Sequence, residues 1–210
     1  EMLGESQRLF TIARTVSARL ARYNGLASEP LYHPPRLAEH LRGGHAGDYV
    51  LSIGRLEAVK RVDLAIRAMR WTPPSLRLVV AGTGTQRESF ERLAATEGVS
   101  DRVSFIGEVD DRTLIDLYAG CLAVIYPPFD EDFGYVTLEA FLSKKPVVTT
   151  TDAGEPTVFV EDDVTGLVVP PEPEAVGQAL SRLATDRAQA MRLGEAVYER
   201  GRAITWSSTI

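Results

Sequence analysis

Two glutamates separated by seven residues surround a glycine at a predicted junction between a strand and a helix. Glu131 lies in the loop after the apolar run 121–126, and Glu139 lies about one turn inside the helix that follows Gly134. The first N–H groups of a helix have no intrahelical partner and attract an anion, while carboxylates accept hydrogen bonds from hydroxyls. A phosphate on the helix N-terminus with one polyhydroxylated ring near each glutamate is the layout of a nucleotide sugar. Taken alone, the pattern favours a solvated acidic loop before an ordinary helix.

Two cations follow the first predicted strand of the regular part of the chain, 49–53. Arg55 leaves the sheet at the end of this strand, and Lys60 lies at the start of the next predicted helix. A guanidinium can bind phosphate through two parallel hydrogen bonds, whereas an ammonium supplies a point charge. The two side chains could therefore converge on one anion. The alternative is that Arg55 pairs with Glu57 or another surface acid.

A glycine-rich turn follows the second strand. Gly82 and Gly84 enclose Thr83, a pattern that is weak by itself because glycine is common where a strand turns into a helix. Gln86 and Arg87 stand where a dinucleotide-binding fingerprint would need a further glycine. We therefore predict no nicotinamide cofactor.

Strand-like and helix-like segments alternate through residues 48–205. The predicted strands are 49–53, 76–81, 103–106, 121–126, 147–150 and 167–169, and helical spacing fills the intervals between them. This alternation predicts an α/β fold with a doubly wound, mostly parallel, Rossmann-like sheet. Such sheets bind ligands at the carboxyl ends of their strands, where the residues named above fall.

The first 47 residues read as an inter-domain segment. A β-like run at 9–13 has no predicted partner and is interpreted as the last strand of a preceding sheet. A helix over 15–23 and an extended connector over 30–35 follow. Residues 48–205 are predicted to form one domain built on the doubly wound sheet, and 206–210 a truncated tail.

Composition excludes several classes of protein. The net charge of −6 argues against general nucleic-acid binding, and no apolar run approaches the ~20 residues of a membrane span. The single cysteine, Cys121, opens a predicted buried strand and is interpreted as a core thiol. His33, His40 and His45 match no zinc spacing, so no metal site is predicted. We expect a cytoplasmic protein, and peripheral association with the inner face of the membrane stays open.

The stretch 131–140 resembles the E-x7-E signature of the retaining, nucleotide-sugar-dependent glycosyltransferases of family 4, also called group 1. Further similar motifs follow the family's order: Gly54-Arg55-Leu56 with Lys60, Gly82-Thr83-Gly84, 103–109, 151–156 and 164–170. Three positions depart from the pattern. Arg61 and Glu155 stand where the family usually or often has glycine, and Val158 stands where it usually has glutamate.

The resemblance implies that residues 48–205 are the Rossmann-like nucleotide-sugar-binding domain, which is the C-terminal half of a GT-B fold. It also implies transfer of a sugar, with a hexose favoured, from UDP, GDP or ADP. It implies no metal and no cofactor. Arg55 and Lys60 would neutralise the departing diphosphate, and Glu131 would orient the donor sugar. The nucleotide-binding residues implied are Gly82, Gly84, Ile106, Phe133, Gly134, Tyr135 and Glu139, of which Glu139 would bind the ribose. The acceptor, whether glycan, lipid or small molecule, is not identified.

Two alternatives remain. In a metal-dependent glycosyltransferase of the other major fold, Asp130 and Asp132 would be a D-x-D ligand pair. In a noncatalytic module, the same site would only bind a nucleotide sugar. The late position of the motif favours the GT-B interpretation, in which a missing N-terminal domain supplies the acceptor pocket and the family's usual histidine. We expect the histidines of the connector not to replace it, and the chain alone to transfer no sugar.

Overall fold

A computed structural model describes residues 8–209 of the chain. The strands are β1 (Phe10–Thr11), β2 (Glu29–Pro30), β3 (Tyr49–Ile53), β4 (Arg77–Ala81), β5 (Val103–Gly107), β6 (Ala123–Ile125), β7 (Val147–Thr150) and β8 (Gly166–Val169). The α-helices are α1 (Arg14–Asn24), α2 (Val62–Ala68), α3 (Arg87–Thr96), α4 (Asp111–Gly120), α5 (Tyr135–Leu142), α6 (Pro156–Phe159), α7 (Pro173–Thr185), α8 (Arg187–Arg202) and α9 (Trp206–Thr209). Short 3-10 helices cover Ala58–Lys60, Met69–Trp71 and Ser100–Arg102.

Six of the strands form one parallel sheet in the order β5-β4-β3-β6-β7-β8. The chain first winds outward from β3 to β5, then crosses back to β6 and winds outward in the other direction. This is the doubly wound Rossmann order, and the predicted fold class is confirmed. Between β3 and β6 the winding reverses, which leaves a crevice at their carboxyl ends where such folds bind ligands.

The sheet has a hydrophobic core on each face. Val50 of β3 belongs to the core against α2, α3 and α7, while Leu51 belongs to the core against α4, α5 and α8. Neighbouring strand residues point to opposite faces, so a strand covered on both sides is apolar at most of its positions. The continuous apolar runs in the sequence have this physical cause.

The strand around Cys121 is shorter than its apolar run. The Cys121 N–H donates to Leu117 O over 3.1 Å and closes α4, so β6 begins only at Ala123. Its thiol is buried and donates to Tyr118 O, and burial raises the pKa of the thiol to about 12. Cys121 therefore lies in the core as an inert thiol, as expected.

The amino-terminal segment packs on the domain rather than standing alone. β1 pairs with β2 in parallel, so the prediction that this first strand has no local partner is wrong; the extended connector supplies one. α1 ends at Asn24, one residue beyond the predicted helix, with Gly25 in the left-handed conformation that often closes a helix. In the tail, 206–209 form the short α9, and Ile210 lies outside the described residues. No helix within 8–209 is both long and apolar enough to cross a bilayer.

Candidate functional site

A lysine, a tyrosine and a glutamate meet where the winding of the sheet reverses. Lys60 Nζ forms an ion pair with the Glu131 carboxylate and lies 3.4 Å from Tyr126 Oη. Tyr126 Oη also donates to Glu131 Oε2 over 2.9 Å. The pair is largely shielded, since the Lys60 and Glu131 side chains are 16% and 19% exposed. Two predicted residues from distant parts of the sequence are thus in direct contact.

The sequence places Lys60 at the start of an α-helix. In the structure it lies instead in the 3-10 turn before α2. Arg61 separates the two elements with φ 49° and ψ 44°, the left-handed conformation that a glycine would adopt readily. The Arg61 guanidinium donates to Pro128 O over 3.0 Å and pairs with Asp152 over 2.6 Å. The arginine therefore keeps the glycine-like turn and ties it to the loops after β6 and β7.

Arg55 lies beside this cluster, in the turn after β3. Arg55, Lys60 and Tyr126 line one narrow cleft at the carboxyl ends of β3 and β4. The Arg55 side chain is exposed and has no hydrogen-bonding or ionic partner within residues 8–209. Glu57, its suggested partner, instead accepts from the N–H and hydroxyl of Thr85. The guanidinium is thus available to a ligand that lies over the mouth of this cleft.

The amino terminus of α5 opens towards the same edge. Gly134 precedes the helix in the left-handed conformation, with φ 78°. A Cβ at this position would lie 3.1 Å from both Tyr126 and Pro156, so the turn has little room for a side chain. The N–H groups of Gly134 and Tyr135 donate to no acceptor in the described part of the chain. They are the unpaired donors on which an anion can bind.

A histidine from the connector also lies at this edge. His33 stacks on Phe133, with 4.8 Å between ring centroids, and its Nε2 is hydrogen-bonded to Tyr135 Oη. His33 precedes the first strand of the sheet in the chain, and for that reason it is not predicted as a site residue, yet the fold brings it against the loop that leads into α5. Its position depends on the folding back of the connector, for which the local sequence has no periodic signal.

Glu139 lies inside α5, partly buried, where it accepts a hydrogen bond from Tyr118 Oη over 2.7 Å. Burial raises the pKa of Glu139 above its usual value, although this hydrogen bond opposes the shift. Both glutamates affect Tyr126. Burial raises the pKa of its phenol most, and the negative charges of Glu131 and Glu139 raise it further. Glu131 of the loop and Glu139 of the helix thus both act on Tyr126, whose phenol stays neutral.

The glycines of the second turn serve close packing. A Cβ on Gly82 would lie 2.0 Å from Gly54 O, and one on Gly84 would lie 2.5 Å from Leu56 O. The turn after β4 therefore presses against the turn that carries Arg55, and the Leu56 N–H donates to Thr83 O. This contact fixes the backbone of the turn that carries Arg55.

Ile106 lies away from the charged cluster. It is exposed on β5, the outermost strand on its side of the sheet. The N–H of Gly82 donates to Gly107 O, which links the ends of β4 and β5. Ile106 can contact only a part of a ligand that extends along the edge from the cleft at β3.

The proposed D-x-D carboxylates have a protein partner. Arg19 of α1 forms ion pairs with both Asp130 and Asp132 and donates to Asp130 O over 2.8 Å. Within 8–209, no cluster of three or more His, Cys, Asp and Glu side chains is arranged to hold a metal ion. In this structure the two aspartates share one cation, which α1 supplies.

Sequence reasoning overlooked Tyr126, Arg61 and Asp152. In the sequence Tyr126 ends an apolar run and looks like a strand residue, although its place at the carboxyl end of β6 is where ligand-site residues of such sheets occur. Arg61 was noted only as a replacement for glycine. Its pairing with Asp152, 91 residues away, has no local signal in the sequence.

Known proteins are similar to this chain in sequence and in fold. The family described as "Glycosyl transferases group 1" matches residues 43–200. D-inositol 3-phosphate glycosyltransferase of Kribbella flavida is 35% identical over 170 residues, covering 75% of this chain and 40% of that protein. An uncharacterized glycosyltransferase of Methanocaldococcus jannaschii is 34% identical over 143 residues, covering 65% of this chain and 36% of its own length. The chain thus spans roughly two fifths of these curated relatives.

Solved structures agree with this. Anabaena HepE in complex with UDP and glucose has a TM-score of 0.86 at 18% identity, covering 95% of this chain and 59% of that one. The fold is thus shared with HepE, and the family match over residues 43–200 shows that the chain belongs to the group 1 glycosyl transferases.

Proposed function

We propose that the chain is the nucleotide-sugar-binding domain of a retaining glycosyltransferase of family 4 that acts without a metal ion. The observation that supports this most directly is the arrangement at the crevice of the sheet. The exposed Arg55 lines a cleft together with Lys60, and Glu131, the partner of Lys60, lies next to Gly134 at the open amino terminus of α5. This arrangement offers a diphosphate a guanidinium and unpaired N–H groups, and it offers a sugar ring a carboxylate.

The proposed chemistry is stabilisation of a leaving group. As the bond between sugar and diphosphate breaks, negative charge develops on the departing phosphate. Arg55, Lys60 and the N–H groups of Gly134 and Tyr135 would stabilise that charge, which lowers the barrier only if they bind it more strongly in the transition state. Glu131 would orient the donor sugar through its hydroxyls, and Glu139 would accept hydrogen bonds from the ribose.

The donor and its partners follow from the same proposal. Gly82, Gly84, Ile106 and Phe133 would line the nucleotide, whose base is uracil, guanine or adenine. HepE, a structural neighbour, was solved with UDP and glucose, which supports UDP-glucose as the first donor to test. A further domain would supply the acceptor pocket, because the chain matches only about two fifths of its curated relatives.

Calorimetric titration of UDP, GDP and ADP tests this proposal. Each nucleotide is titrated once with EDTA and once with Mg²⁺. We expect one of them to bind with the same affinity in both. Binding that disappears in EDTA and returns with Mg²⁺ would instead favour a metal-dependent enzyme that uses Asp130 and Asp132, and absence of binding by all three would contradict the proposal.

A further inference from the structure

Glu155 is completely buried, yet it carries a carboxylate. Its two oxygens accept three hydrogen bonds, from Arg14 N over 3.2 Å, Thr15 N over 2.7 Å and Tyr32 Oη over 2.5 Å. The two N–H groups belong to the first turn of α1, where a helix lacks intrahelical acceptors and favours negative charge. Glu155 therefore caps a helix that lies about 140 residues away along the chain.

The backbone of Glu155 is joined to the loop of the candidate site. Its N–H donates to Glu131 O over 3.0 Å, and the Glu131 N–H donates to Ala153 O over 2.9 Å. Gly154, between them, is so close that a Cβ would lie 2.5 Å from Glu131 O. The two backbone segments are in tight contact, so we infer that a displacement of Glu155 also displaces the backbone of Glu131.

α1 holds the same loop at a second point. Arg19, one turn further along the helix, pairs with Asp130 and Asp132 on either side of Glu131. The carboxylate of Glu131 is thus set between two residues fixed by α1 and a backbone fixed through Glu155. Neither set of contacts involves the cleft side of Glu131, where Lys60 and Tyr126 bind it.

We propose that Glu155 is a positioning residue, which couples α1 to the place of the Glu131 carboxylate and so to the donor sugar. The coupling through backbone contacts stands by itself, whereas the effect on the donor sugar rests on the function proposed above. α1 belongs to the predicted inter-domain segment. A movement of that segment would therefore shift the carboxylate of Glu131, which is proposed to bind the sugar, rather than the groups proposed to bind the diphosphate.

Hydrogen exchange tests the coupling without a ligand. In Glu155→Gln the side chain has no charge and only one oxygen that can accept, so at least one of the two N–H groups of α1 loses its acceptor. Arg19 still holds the helix in place. We expect faster exchange in 14–17 and also in 130–132. Tyr32→Phe, which removes one of the three hydrogen bonds, should give a smaller change of the same kind. The matched control is Glu161→Gln, an exposed glutamate paired with Arg200, which should change neither segment.

A confined response would overturn the proposal. If exchange in Glu155→Gln rises only in 14–17 and stays unchanged in 130–132, Glu155 caps a helix and does nothing more. The same conclusion holds if Glu161→Gln changes 130–132 as much.

Binding measurements then test the effect on the sugar. UDP and UDP-glucose are titrated against the wild type, Glu131→Gln, Glu155→Gln and the double variant. We expect Glu155→Gln to weaken UDP-glucose by on the order of tenfold, the scale of one hydrogen bond to a charged group, and to leave UDP unchanged. In the Glu131→Gln background the same substitution should have no further effect. Equal losses in both backgrounds would contradict action through Glu131.

The two failures can be told apart. If the wild type binds neither nucleotide, the proposed function is wrong for this donor, and the exchange experiment alone decides whether Glu155 positions the loop. If the wild type binds both but Glu155→Gln weakens UDP and UDP-glucose equally, the positioning role is wrong while the proposed function is unaffected.

Discussion

At the scale of single residues, the two cations of the candidate site differ in their surroundings. Sequence reasoning treats Arg55 and Lys60 alike, as a pair converging on a phosphate. In the structure Lys60 already has an anionic partner, Glu131, while Arg55 has none within 8–209. Substituting each of them should therefore have a different mixture of effects on binding and on stability.

Arg55→Ala should weaken binding of a nucleoside diphosphate without destabilising the fold. The loss of a hydrogen bond to a charged group predicts a decrease of about 1.5–3 kcal/mol in binding free energy, measured by calorimetry. Arg192→Ala removes another exposed arginine, on α8, and should change neither affinity nor melting temperature. A fall in melting temperature with unchanged affinity would show that Arg55 is structural.

Lys60→Ala should also destabilise the protein. It leaves the Glu131 carboxylate largely shielded from water without its cation. Breaking a fully buried pair costs roughly 3–5 kcal/mol, and the residual exposure here reduces the expected cost to about 1–3 kcal/mol in urea unfolding. Combining Lys60→Ala with Glu131→Gln should recover part of this loss. No recovery would mean that the lysine stabilises the fold through its packing alone.

Glu139→Gln should stabilise the ligand-free protein near pH 7 while weakening nucleotide binding. Burial raises the pKa of Glu139, so the ionised form, present above that pKa, lowers the stability of the folded state. The gain in melting temperature should disappear as the pH falls below about 4, where the acid is protonated in both states. The control is the exposed Glu174→Gln, which should show no such gain.

The ligand dependence of Glu139→Gln provides a second test. Its proposed partners are ribose hydroxyls, so the substitution should weaken UDP more than inorganic pyrophosphate. Equal losses for the two ligands would contradict the assignment of Glu139 to the ribose, even if the gain in stability were observed.

At the scale of elements, the site depends on two turns pressed together. The turn after β4 has no room for a side chain against the turn after β3, which is why glycine occurs at both of its ends. The sequence shows these glycines but not what they pack against.

Gly82→Ala should cost ~2 kcal/mol or more in unfolding free energy, because a Cβ would meet Gly54 O at 2.0 Å and φ is 129°. Gly25→Ala is the matched control. Gly25 also has a positive φ, 68°, but nothing lies within 4 Å of its Cβ position, so only the backbone strain of about 1 kcal/mol remains. Equal costs would mean that the contact between the turns is not tight.

The same scale explains what could be predicted. Apolar runs buried on both faces locate the strands of the sheet, and the site residues after β3 and β6 follow from the rule for parallel sheets. What has no such signal is contact between remote segments. The pairing of β1 with β2, the stacking of His33 on Phe133 and the capping of α1 by Glu155 all depend on how the first residues fold back.

At the scale of the whole molecule, the chain should bind a donor but transfer no sugar. Transfer requires an acceptor held against the sugar, because much of the rate comes from proximity. The chain matches roughly two fifths of its curated relatives, and the proposed acceptor pocket belongs to the remainder. The purified chain is assayed with UDP-glucose and a panel of glycan, lipid and small-molecule acceptors. Efficient turnover with any of them would overturn the prediction.

The capping of α1 by Glu155 also sets an order of events during synthesis. About 140 residues separate the helix from its cap. At the usual ~5–20 residues per second, the ribosome needs roughly 7–30 s to make them. An isolated helix of 11 residues is marginal in water, and α1 has no side-chain cap of its own. While the chain is still being made, α1 therefore lacks this cap, and it gains the cap only when the strand and loop that precede Glu155 have left the ribosome and joined the sheet.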